Sequence, residues 1–228
     1  MNLSVILPCY EEASNLELLI PRILQTLPCH VLNFEIIVVD TENPKDKTPL
    51  ICKQFGVIYV NRINGNCYGN AIRTGIAIAK GSNIIFMDAD GSHSPEFIPK
   101  LLEFANDHDV VIASRYIPCG GTKNSLILER MSRVLNWSYG YILNIPCKDI
   151  SNSFKLYRAD KLKSLKLNCN NFDIVEEILV QLVRKYDSIK FKEVPFVFEM
   201  RKFGKTKRSL FIFIIGYIFT LIRLRFSK

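Results

Sequence analysis

The chain has 228 residues, of which 48% are hydrophobic and 23% charged, which suits one large α/β domain and excludes a disordered or low-complexity protein. Its net charge of +8 lies at one end: residues 201–228 hold eight basic and no acidic residues, and the first 200 hold 22 of each. A nucleic-acid binder would spread its basic residues over one face of the fold, so we expect no nucleic-acid partner and an anionic partner for the tail alone.

Apolar runs alternate with helical spacings along the first half of the chain. The predicted strands are 3–7, 35–39, 57–61, 84–87 and 110–114, and the predicted helices between them are 13–27, 48–55, 68–79 and 95–106. This alternation predicts an α/β fold with a mostly parallel, doubly wound central sheet and helices on both faces.

The second half of the chain is less regular. The spacing predicts helices at 126–143 and 173–186, a short strand at 153–157 and a strand at 191–198, where Pro195 indicates the edge of the sheet. Seven cysteines stand singly, without a Cys-x-x-Cys pair, which predicts free thiols in a reducing compartment. No basic n-region opens the chain, so no signal peptide is predicted.

Residues 210–222 form a run of apolar character flanked by basic residues. Thirteen helical residues reach about 20 Å, too short for a hydrocarbon core of about 30 Å. The polar members form a narrow stripe that could dock on the protein or on lipid headgroups: Gly216, Thr220, Arg223 and Ser227. The pattern predicts an interfacial helix at 209–228, following a domain at 1–208. A C-terminal core helix is the alternative.

Two carboxylates, Asp88 and Asp90, follow the strand at 84–87. Carboxylates this close repel each other and favour a hard divalent cation, Mg²⁺ or Mn²⁺, whose shell substrate phosphates commonly complete. Alone, the Asp-x-Asp pattern also fits a solvated turn and helix cap. The chain has no Gly-x-Gly-x-x-Gly after its first strand and no Gly-Lys-Ser/Thr loop, which disfavours a dinucleotide-binding fold and a P-loop NTPase.

Further polar residues follow the other predicted strands: residues 8–12 the first, Asp40 the second and Arg115 the fifth. Because parallel strands end at one edge of the sheet, where open α/β sheets bind ligands, these residues are expected to share a site. Carboxylates suited to a metal and a nucleoside predict a nucleotide site there. His93 is expected to pack and not to bind the metal.

Several stretches together resemble a known family. Residues 5–12 (Val-Ile-Leu-Pro-Cys-Tyr-Glu-Glu), 37–40 (Ile-Val-Val-Asp) and 87–93 (Met-Asp-Ala-Asp-Gly-Ser-His) are similar to family 2 glycosyltransferases of the GT-A fold. Residues 113–116, 120–121, 149–157 and 201–207 narrow the resemblance to polyprenyl-phosphate glycosyltransferases, the dolichyl-phosphate mannose synthases among them. The resemblance covers nearly the whole chain.

The resemblance implies a role for each matched position. It implies that the donor nucleotide-sugar is bound by Pro8, Tyr10, Glu12, Asp40, Asp88, Ala89, Arg201 and Lys207, with the metal on Asp88 and Asp90. It places the acceptor's phosphate on Arg115 and Ser132. The family has a further acceptor-binding arginine at the position of Leu128, and Arg130 or Arg133 is expected to take its role here. Asp90 and Arg115 are the expected catalytic residues. Thr41 and Ser92 depart from the family pattern, in which a second Asp and, in some relatives, a Gln occupy these positions.

The expected activity is an inverting transfer of a hexose, mannose from GDP-mannose, to a polyprenyl monophosphate. The expected location is the cytoplasmic face of a membrane, as a peripheral or monotopic protein. A family 2 enzyme that uses UDP-glucose, UDP-GlcNAc or a non-lipid acceptor is an alternative, as is a soluble nucleotidyltransferase. A degenerate module that recruits partners to membranes is an alternative of another class, and would not need Asp88, Asp90, Arg115 and Arg201 together.

Overall fold

The computed structural model describes residues 2–200 and 210–226, with the side chains of the last helix described from Gly216 onward. The strands are β1 (Asn2–Pro8), β2 (Asn33–Asp40), β3 (Ile58–Asn61), β4 (Asn83–Phe86), β5 (Val110–Ser114), β6 (Gly121–Thr122), β7 (Lys155–Arg158), β8 (Phe191–Pro195) and β9 (Val197–Phe198). The α-helices are α1 (Ala13–Thr26), α2 (Thr48–Phe55), α3 (Tyr68–Ile78), α4 (Ile98–Leu102), α5 (Leu126–Leu143), α6 (Ala159–Lys163), α7 (Ile174–Lys185) and α8 (Leu210–Phe226). Short 3₁₀ turns lie at Leu27–Cys29 and Pro95–Phe97.

Seven strands form the central sheet in the order β3-β2-β1-β4-β7-β5-β8. All neighbours are parallel except β7, which is antiparallel to both β4 and β5. Lys155 at the start of β7 pairs with Phe86 at the end of β4, so the chain enters β7 from the edge where the parallel strands end. The segment between β5 and β7 therefore begins and ends at that edge. The pairing confirms a mostly parallel sheet.

Helices cover both faces of the sheet, as predicted. Because successive strand residues point to opposite faces, Val5 and Leu7 join one hydrophobic cluster, and Ile6 joins the other. The first cluster includes α1, and the second includes residues of α3, α5, α7 and α8. Both faces of the sheet are thus buried. The carboxyl ends of the parallel strands are where open α/β sheets bind ligands.

Two predicted elements differ from the structure. The helix expected at 95–106 is a 3₁₀ turn followed by the five residues of α4. Pro99 has no backbone N–H, so it cannot donate the hydrogen bond to the carbonyl of residue 95 that a continuous helix would need. The strand expected at 191–198 divides at Phe196: β8 forms the edge of the large sheet, as Pro195 indicated, and β9 pairs with β6 in a separate two-stranded sheet.

Helix α8 packs on the body of the protein along one face. Tyr217, Thr220 and Leu224 are buried, and the Tyr139 hydroxyl of α5 donates a hydrogen bond to the Tyr217 carbonyl at 3.0 Å. The Thr220 hydroxyl donates to the Asp173 carboxylate at 3.2 Å. Of the expected polar stripe, Thr220 thus lies in the docking face, Gly216 is exposed, and Ser227 lies outside the described residues. Within the described ranges, every helix is too short or too polar to cross a bilayer.

Candidate active site

The turn after β4 carries the two carboxylates predicted to bind a metal. The Ser153 hydroxyl donates a hydrogen bond to Asp88 Oδ1 at 2.9 Å. The backbone amide and hydroxyl of Ser92 donate to Asp90 Oδ1 at 3.0 and 2.5 Å. Gly91 adopts a positive φ of 81°, which lets the chain turn back so tightly. One oxygen of each carboxylate is therefore oriented by a hydroxyl, as in the outer shell of metal sites.

His93 supports this turn from below and is fully buried, stacked on Phe154 with ring centroids 4.8 Å apart. The Asp88 amide donates to Nδ1 at 3.0 Å, so Nε2 carries the proton and donates to Asn152 Oδ1 at 3.1 Å. Burial lowers the pKa of His93 to about 4, which keeps the ring neutral near pH 7. His93 is thus a packing residue, as expected, and it fixes the backbone of Asp88.

Arg115, which follows β5, forms a buried ion pair with Asp149. Its Nε and Nη2 donate to the two oxygens of Asp149 at 2.8 and 2.7 Å, and Nη2 also donates to Ser151 Oγ at 3.0 Å. Burial works to lower the pKa of Arg115, but Asp149 and, to a lesser extent, Asp88 raise it above its usual value. Asp149 therefore occupies Nε and Nη2 of Arg115. A phosphate would have to bind Nη1, which makes no hydrogen bond within the described part of the chain.

The predicted acceptor residues gather around the ring of Tyr116, except one. The guanidinium of Arg115 lies 4.9 Å from the ring centroid, and that of Arg133 lies 4.8 Å from it. Ser132 lies next to the Tyr116 hydroxyl, where it works to lower the pKa of Tyr116 against the larger effect of burial. Arg133 also pairs with Glu129 at 2.9 Å. Arg130 lies on the same helix as Arg133, and its side chain is exposed.

The residues predicted to bind the nucleotide-sugar donor lie at or just after the ends of β1, β2 and β4. Tyr10 is exposed after Pro8, and the Glu12 carboxylate accepts a hydrogen bond from Asn15 Nδ2 at 2.5 Å. Ala89, which lies between Asp88 and Asp90 in the sequence, is buried. These positions are brought to one edge of the sheet, and their contacts with a nucleotide-sugar stay a prediction.

Asp40, at the end of β2, is buried. Its Oδ1 accepts from the Thr41 amide at 2.7 Å, and its Oδ2 accepts from the Tyr59 hydroxyl at 3.3 Å. Burial raises the pKa of Asp40. Arg62, buried beside it, donates to the carbonyl of Asn66 at 2.6 Å and to that of Cys9. These bonds tie together the loops that follow β1, β2 and β3.

Arg201 and Lys207, predicted to clasp the donor's phosphates, lie outside the described residues. The chain immediately before them is held against the metal-site turn. The Glu199 amide donates to the Ser92 carbonyl at 3.2 Å, and β9 is paired with β6. Glu199, which makes this contact with the turn that carries Asp90, lies two residues before Arg201 in the chain.

The donor atoms fit a hard divalent cation such as Mg²⁺ or Mn²⁺, which prefers oxygen ligands and completes its shell from substrate phosphates. Asp88 and Asp90 supply carboxylate oxygens in an oriented turn. Within the described ranges, no group of three or more His, Cys, Asp or Glu residues is placed to hold a metal. Water and substrate phosphates commonly complete the shell of a Mg²⁺ ion that is held by one or two carboxylates.

The family model described as glycosyl transferase family 2 matches residues 4–166. The chain belongs to this family. The sequence-based resemblance is thus confirmed, and the match covers the sheet edge with Asp40, Asp88, Asp90 and Arg115.

Curated relatives of this glycosyltransferase are similar along most of its length. A dolichol-phosphate mannosyltransferase of Pyrococcus furiosus is 34% identical over 91% of this chain and 59% of that protein. A dolichol-phosphate mannosyltransferase of Saccharomyces cerevisiae is 30% identical over 90% of this chain and 80% of that protein. An undecaprenyl-phosphate mannosyltransferase of Micrococcus luteus is 29% identical over 92% and 88%. The chain thus spans about three fifths of the length of the archaeal relative.

Solved structures share the fold of this glycosyltransferase. Glucosyl-3-phosphoglycerate synthase from Mycobacterium tuberculosis, in complex with Mn²⁺, UDP and glucosyl-3-phosphoglycerate, superposes with a TM-score of 0.73 at 18% identity, over 98% of this chain and 79% of that one. The same enzyme with Mg²⁺ and UDP gives a TM-score of 0.72, at 18% identity and over the same shares. The GT-A fold predicted from the sequence is confirmed.

Proposed function

We propose that this protein transfers mannose from GDP-mannose to a polyprenyl monophosphate at the cytoplasmic surface of a membrane. The observation that carries the proposal is the short loop from Asp149 to Ser153, which contacts the metal-site carboxylate Asp88 at one end and Arg115 at the other. Donor and acceptor groups are thereby joined by one segment. Three relatives whose names specify mannosyl transfer to dolichol phosphate or undecaprenyl phosphate support the choice of sugar and acceptor.

The acceptor's own chemistry explains why a dedicated base is not required. A phosphate monoester has a second pKa near ~6, so its oxygen nucleophile is largely ionised at neutral pH. What the protein must supply is alignment and electrostatic stabilisation. Arg115, held in place by Asp149, offers Nη1. The Arg133 guanidinium lies over the Tyr116 ring, and Ser132 lies next to the hydroxyl of that ring. These groups are suited to hold a dianionic phosphate near Asp88.

On the donor side, Asp88 and Asp90 would hold Mg²⁺ or Mn²⁺ against the diphosphate. When bound, the cation would neutralise charge on the leaving nucleoside diphosphate. Ser92 and Ser153 orient the two carboxylates toward this task. The residues after β1 and Asp40 would line the nucleoside, and Arg201 and Lys207 would contact its phosphates.

A membrane surface is the proposed location because two neighbouring helices expose apolar side chains. On α8, the face opposite the docked one exposes Phe219 by 67% and Ile222 by 54%. On α5, Trp137 and Tyr141 are stacked at 5.7 Å and exposed by 70% and 75%. Trp and Tyr are enriched at membrane interfaces, and the basic residues of the tail favour anionic headgroups. In this arrangement the body, residues 1–208, is anchored through the helix at 209–228.

Replacing Phe219 and Ile222 together with glutamate should release the protein from anionic liposomes. Each buried apolar side chain contributes about 1.5–3 kcal/mol, so we expect at least a ~10-fold weaker association in liposome flotation. Donor-nucleotide binding should remain, because Tyr217 and Leu224 still dock the helix on the body. Deleting the helix would be a poorer test, since it would uncover the cluster that these two residues complete.

Leu32 and Leu50 provide the matched control for the liposome experiment. Both are exposed, by 91% and 66%, and neither lies on α5 or α8. Their double replacement with glutamate should leave flotation unchanged. If the Phe219/Ile222 variant floats as well as the wild-type protein, the exposed face of α8 is not a membrane anchor.

The proposed activity is tested with a panel of GDP- and UDP-sugars and a short polyprenyl phosphate, with glycolipid product as the readout. We expect product from GDP-mannose with Mg²⁺ or Mn²⁺, and none when the polyprenyl phosphate is replaced by the polyprenyl alcohol. Product from UDP-glucose but not from GDP-mannose would overturn the donor. Sugar transfer to water-soluble phosphate esters alone would overturn the lipid acceptor.

A further inference from the structure

Lys155, the first residue of β7, is a fully buried lysine directly beneath the Asp149–Ser153 loop. Its ammonium group donates hydrogen bonds to the carbonyl of Ile150 at 2.9 Å and to the carbonyl of Asn152. Within the described residues it has no carboxylate within ion-pair distance. The charge of this buried ammonium group is therefore compensated mainly by the backbone carbonyls of one loop.

The loop above Lys155 holds the two halves of the candidate site. At its beginning, Asp149 and Ser151 accept hydrogen bonds from Arg115. At its end, Ser153 donates to Asp88. The Asn152 side chain accepts a hydrogen bond from His93, and His93 in turn accepts one from the backbone amide of Asp88. The two carbonyls bound by Lys155 lie between these contacts, so the ammonium fixes the loop from inside.

A purely structural role would be served better by an apolar side chain. Burying an ammonium group costs several kcal/mol unless it is well compensated, and methionine would fill a similar volume without that cost. Among the titratable groups around Lys155, Asp149 and Glu176 favour its charged form and Arg115 opposes it. The Cys147 thiol and the buried His93 ring are neutral near pH 7. The Lys155 ammonium group thus stands where two carbonyls of the loop need strong hydrogen-bond donors.

We propose that Lys155 is a positioning residue that sets the separation between the metal-site carboxylate Asp88 and the acceptor-binding Arg115. It does so through the carbonyls of Ile150 and Asn152 and touches neither substrate. The inference rests on the proposed function, because it assigns Asp88 to the donor and Arg115 to the acceptor. Its consequence is that the charge on Lys155 affects turnover more than it affects donor binding.

Lys155→Met should lower kcat by ~10- to 100-fold, the range in which misplaced catalytic groups act, with donor affinity changed less than about threefold. Lys155→Arg keeps the charge and the donors and should restore most of the turnover. Lys163→Met is the matched control, since the Lys163 ammonium also donates to a backbone carbonyl, that of Ala79, away from the loop. It should turn over like the wild-type enzyme.

The pH profile separates positioning from simple packing. Burial lowers the pKa of Lys155 to about 8. Deprotonation above this value removes the charge, so wild-type kcat should fall as pH rises through about 8. Arginine remains charged, and Lys155→Arg should keep its turnover to about pH 9.5. Burial also raises the pKa of Cys147, which keeps that thiol neutral in this range.

Amide hydrogen exchange, measured on the protein without substrate or metal, gives a readout independent of activity. In Lys155→Met, the amides of residues 150–152 should exchange at least ~10-fold faster, and in Lys163→Met they should not. Wild-type turnover in Lys155→Met, or the same alkaline fall in Lys155→Arg as in the wild type, would overturn the role. If Lys155→Met does not fold, the Lys155→Arg profile decides. If the wild type transfers no sugar, the proposed function fails, and exchange alone decides whether Lys155 holds the loop.

Discussion

Replacing Asp90 with asparagine should lower kcat at least ~100-fold, the scale of losing one preorganised electrostatic stabiliser, while the protein stays folded. Asparagine keeps the shape of the side chain, and its carbonyl oxygen can still accept the two hydrogen bonds that Ser92 donates to Asp90 Oδ1. Only the negative charge is lost. Steady-state kinetics with GDP-mannose and a short polyprenyl phosphate, together with thermal unfolding, would measure both parts.

Asp160→Asn is the matched control for this substitution. Asp160 is exposed and pairs at 3.4 Å with Arg158, so its neutralisation should alter neither turnover nor folding measurably. Undiminished turnover in Asp90→Asn, or wild-type turnover in excess EDTA, would remove the metal role from the turn after β4. Loss of folding in Asp90→Asn would instead show that the charge is needed by the structure itself.

The first half of the fold was predictable because its signals are local. Apolar runs predicted β1, β2, β4 and β5 to within two residues at each end, and helical spacing predicted α2 with its observed bounds. In the second half of the chain, helical spacing also predicted the bounds of α5. The rule that parallel strands end at one edge then brought Asp40, Asp88 and Arg115 together before any contact was known. This part of the site follows from the parallel direction of the strands.

The contacts that complete the site depend on pairing between distant segments. Nothing near Arg115 in the sequence shows that its fork is occupied by Asp149, 34 residues later. The antiparallel direction of β7 follows from where the chain enters the sheet, and this entry places Lys155 beneath the loop. Arg62 was missed, although it directly follows β3 and the strand-end rule would have found it.

The acceptor hypothesis changes most in light of these contacts. The resemblance placed the acceptor's phosphate on Arg115, and a guanidinium with no other partner can bind a phosphate through two parallel hydrogen bonds. In the structure, Asp149 holds Nε and Nη2, and Tyr116 and Phe198 lie against the guanidinium at 4.9 and 5.6 Å. Arg115 is thereby preorganised, and the remaining contacts with phosphate must be shared with its neighbours on α5.

Asp149→Asn should be the most destabilising single substitution near the site. Asp149 is fully buried and accepts hydrogen bonds from the Arg115 side chain and backbone, so neutralising it leaves a guanidinium buried without its counter-ion. Breaking such a pair costs roughly 3–5 kcal/mol. In a chain of this size, that corresponds to a fall of about 10 °C in Tm. Urea titration and calorimetry would measure both quantities.

The same substitution has a defined pH dependence. Burial works to raise the pKa of Asp149, but Arg115 outweighs it and lowers this pKa below its usual value. The carboxylate therefore contributes stability above its unfolded pKa of about 3.9, and loses it as pH falls through the lower folded value. The stability difference between the wild type and Asp149→Asn should be constant between pH 7 and about 5, and should shrink below about pH 4.

Replacing both members of the pair, as Arg115→Met with Asp149→Leu, separates stability from function. Apolar replacement of a buried ion pair is often neutral or stabilising, so the double variant should recover most of the stability lost in Asp149→Asn. Its use of the lipid acceptor should not recover, because no guanidinium remains beside Asp88. A double variant as unstable as the single one would show that Asp149 acts mainly through its bonds to the Arg115 and Asn152 amides. An Asp149→Asn variant within about 1 kcal/mol of the wild type would mean that the pair is not the buried counter-ion system described here.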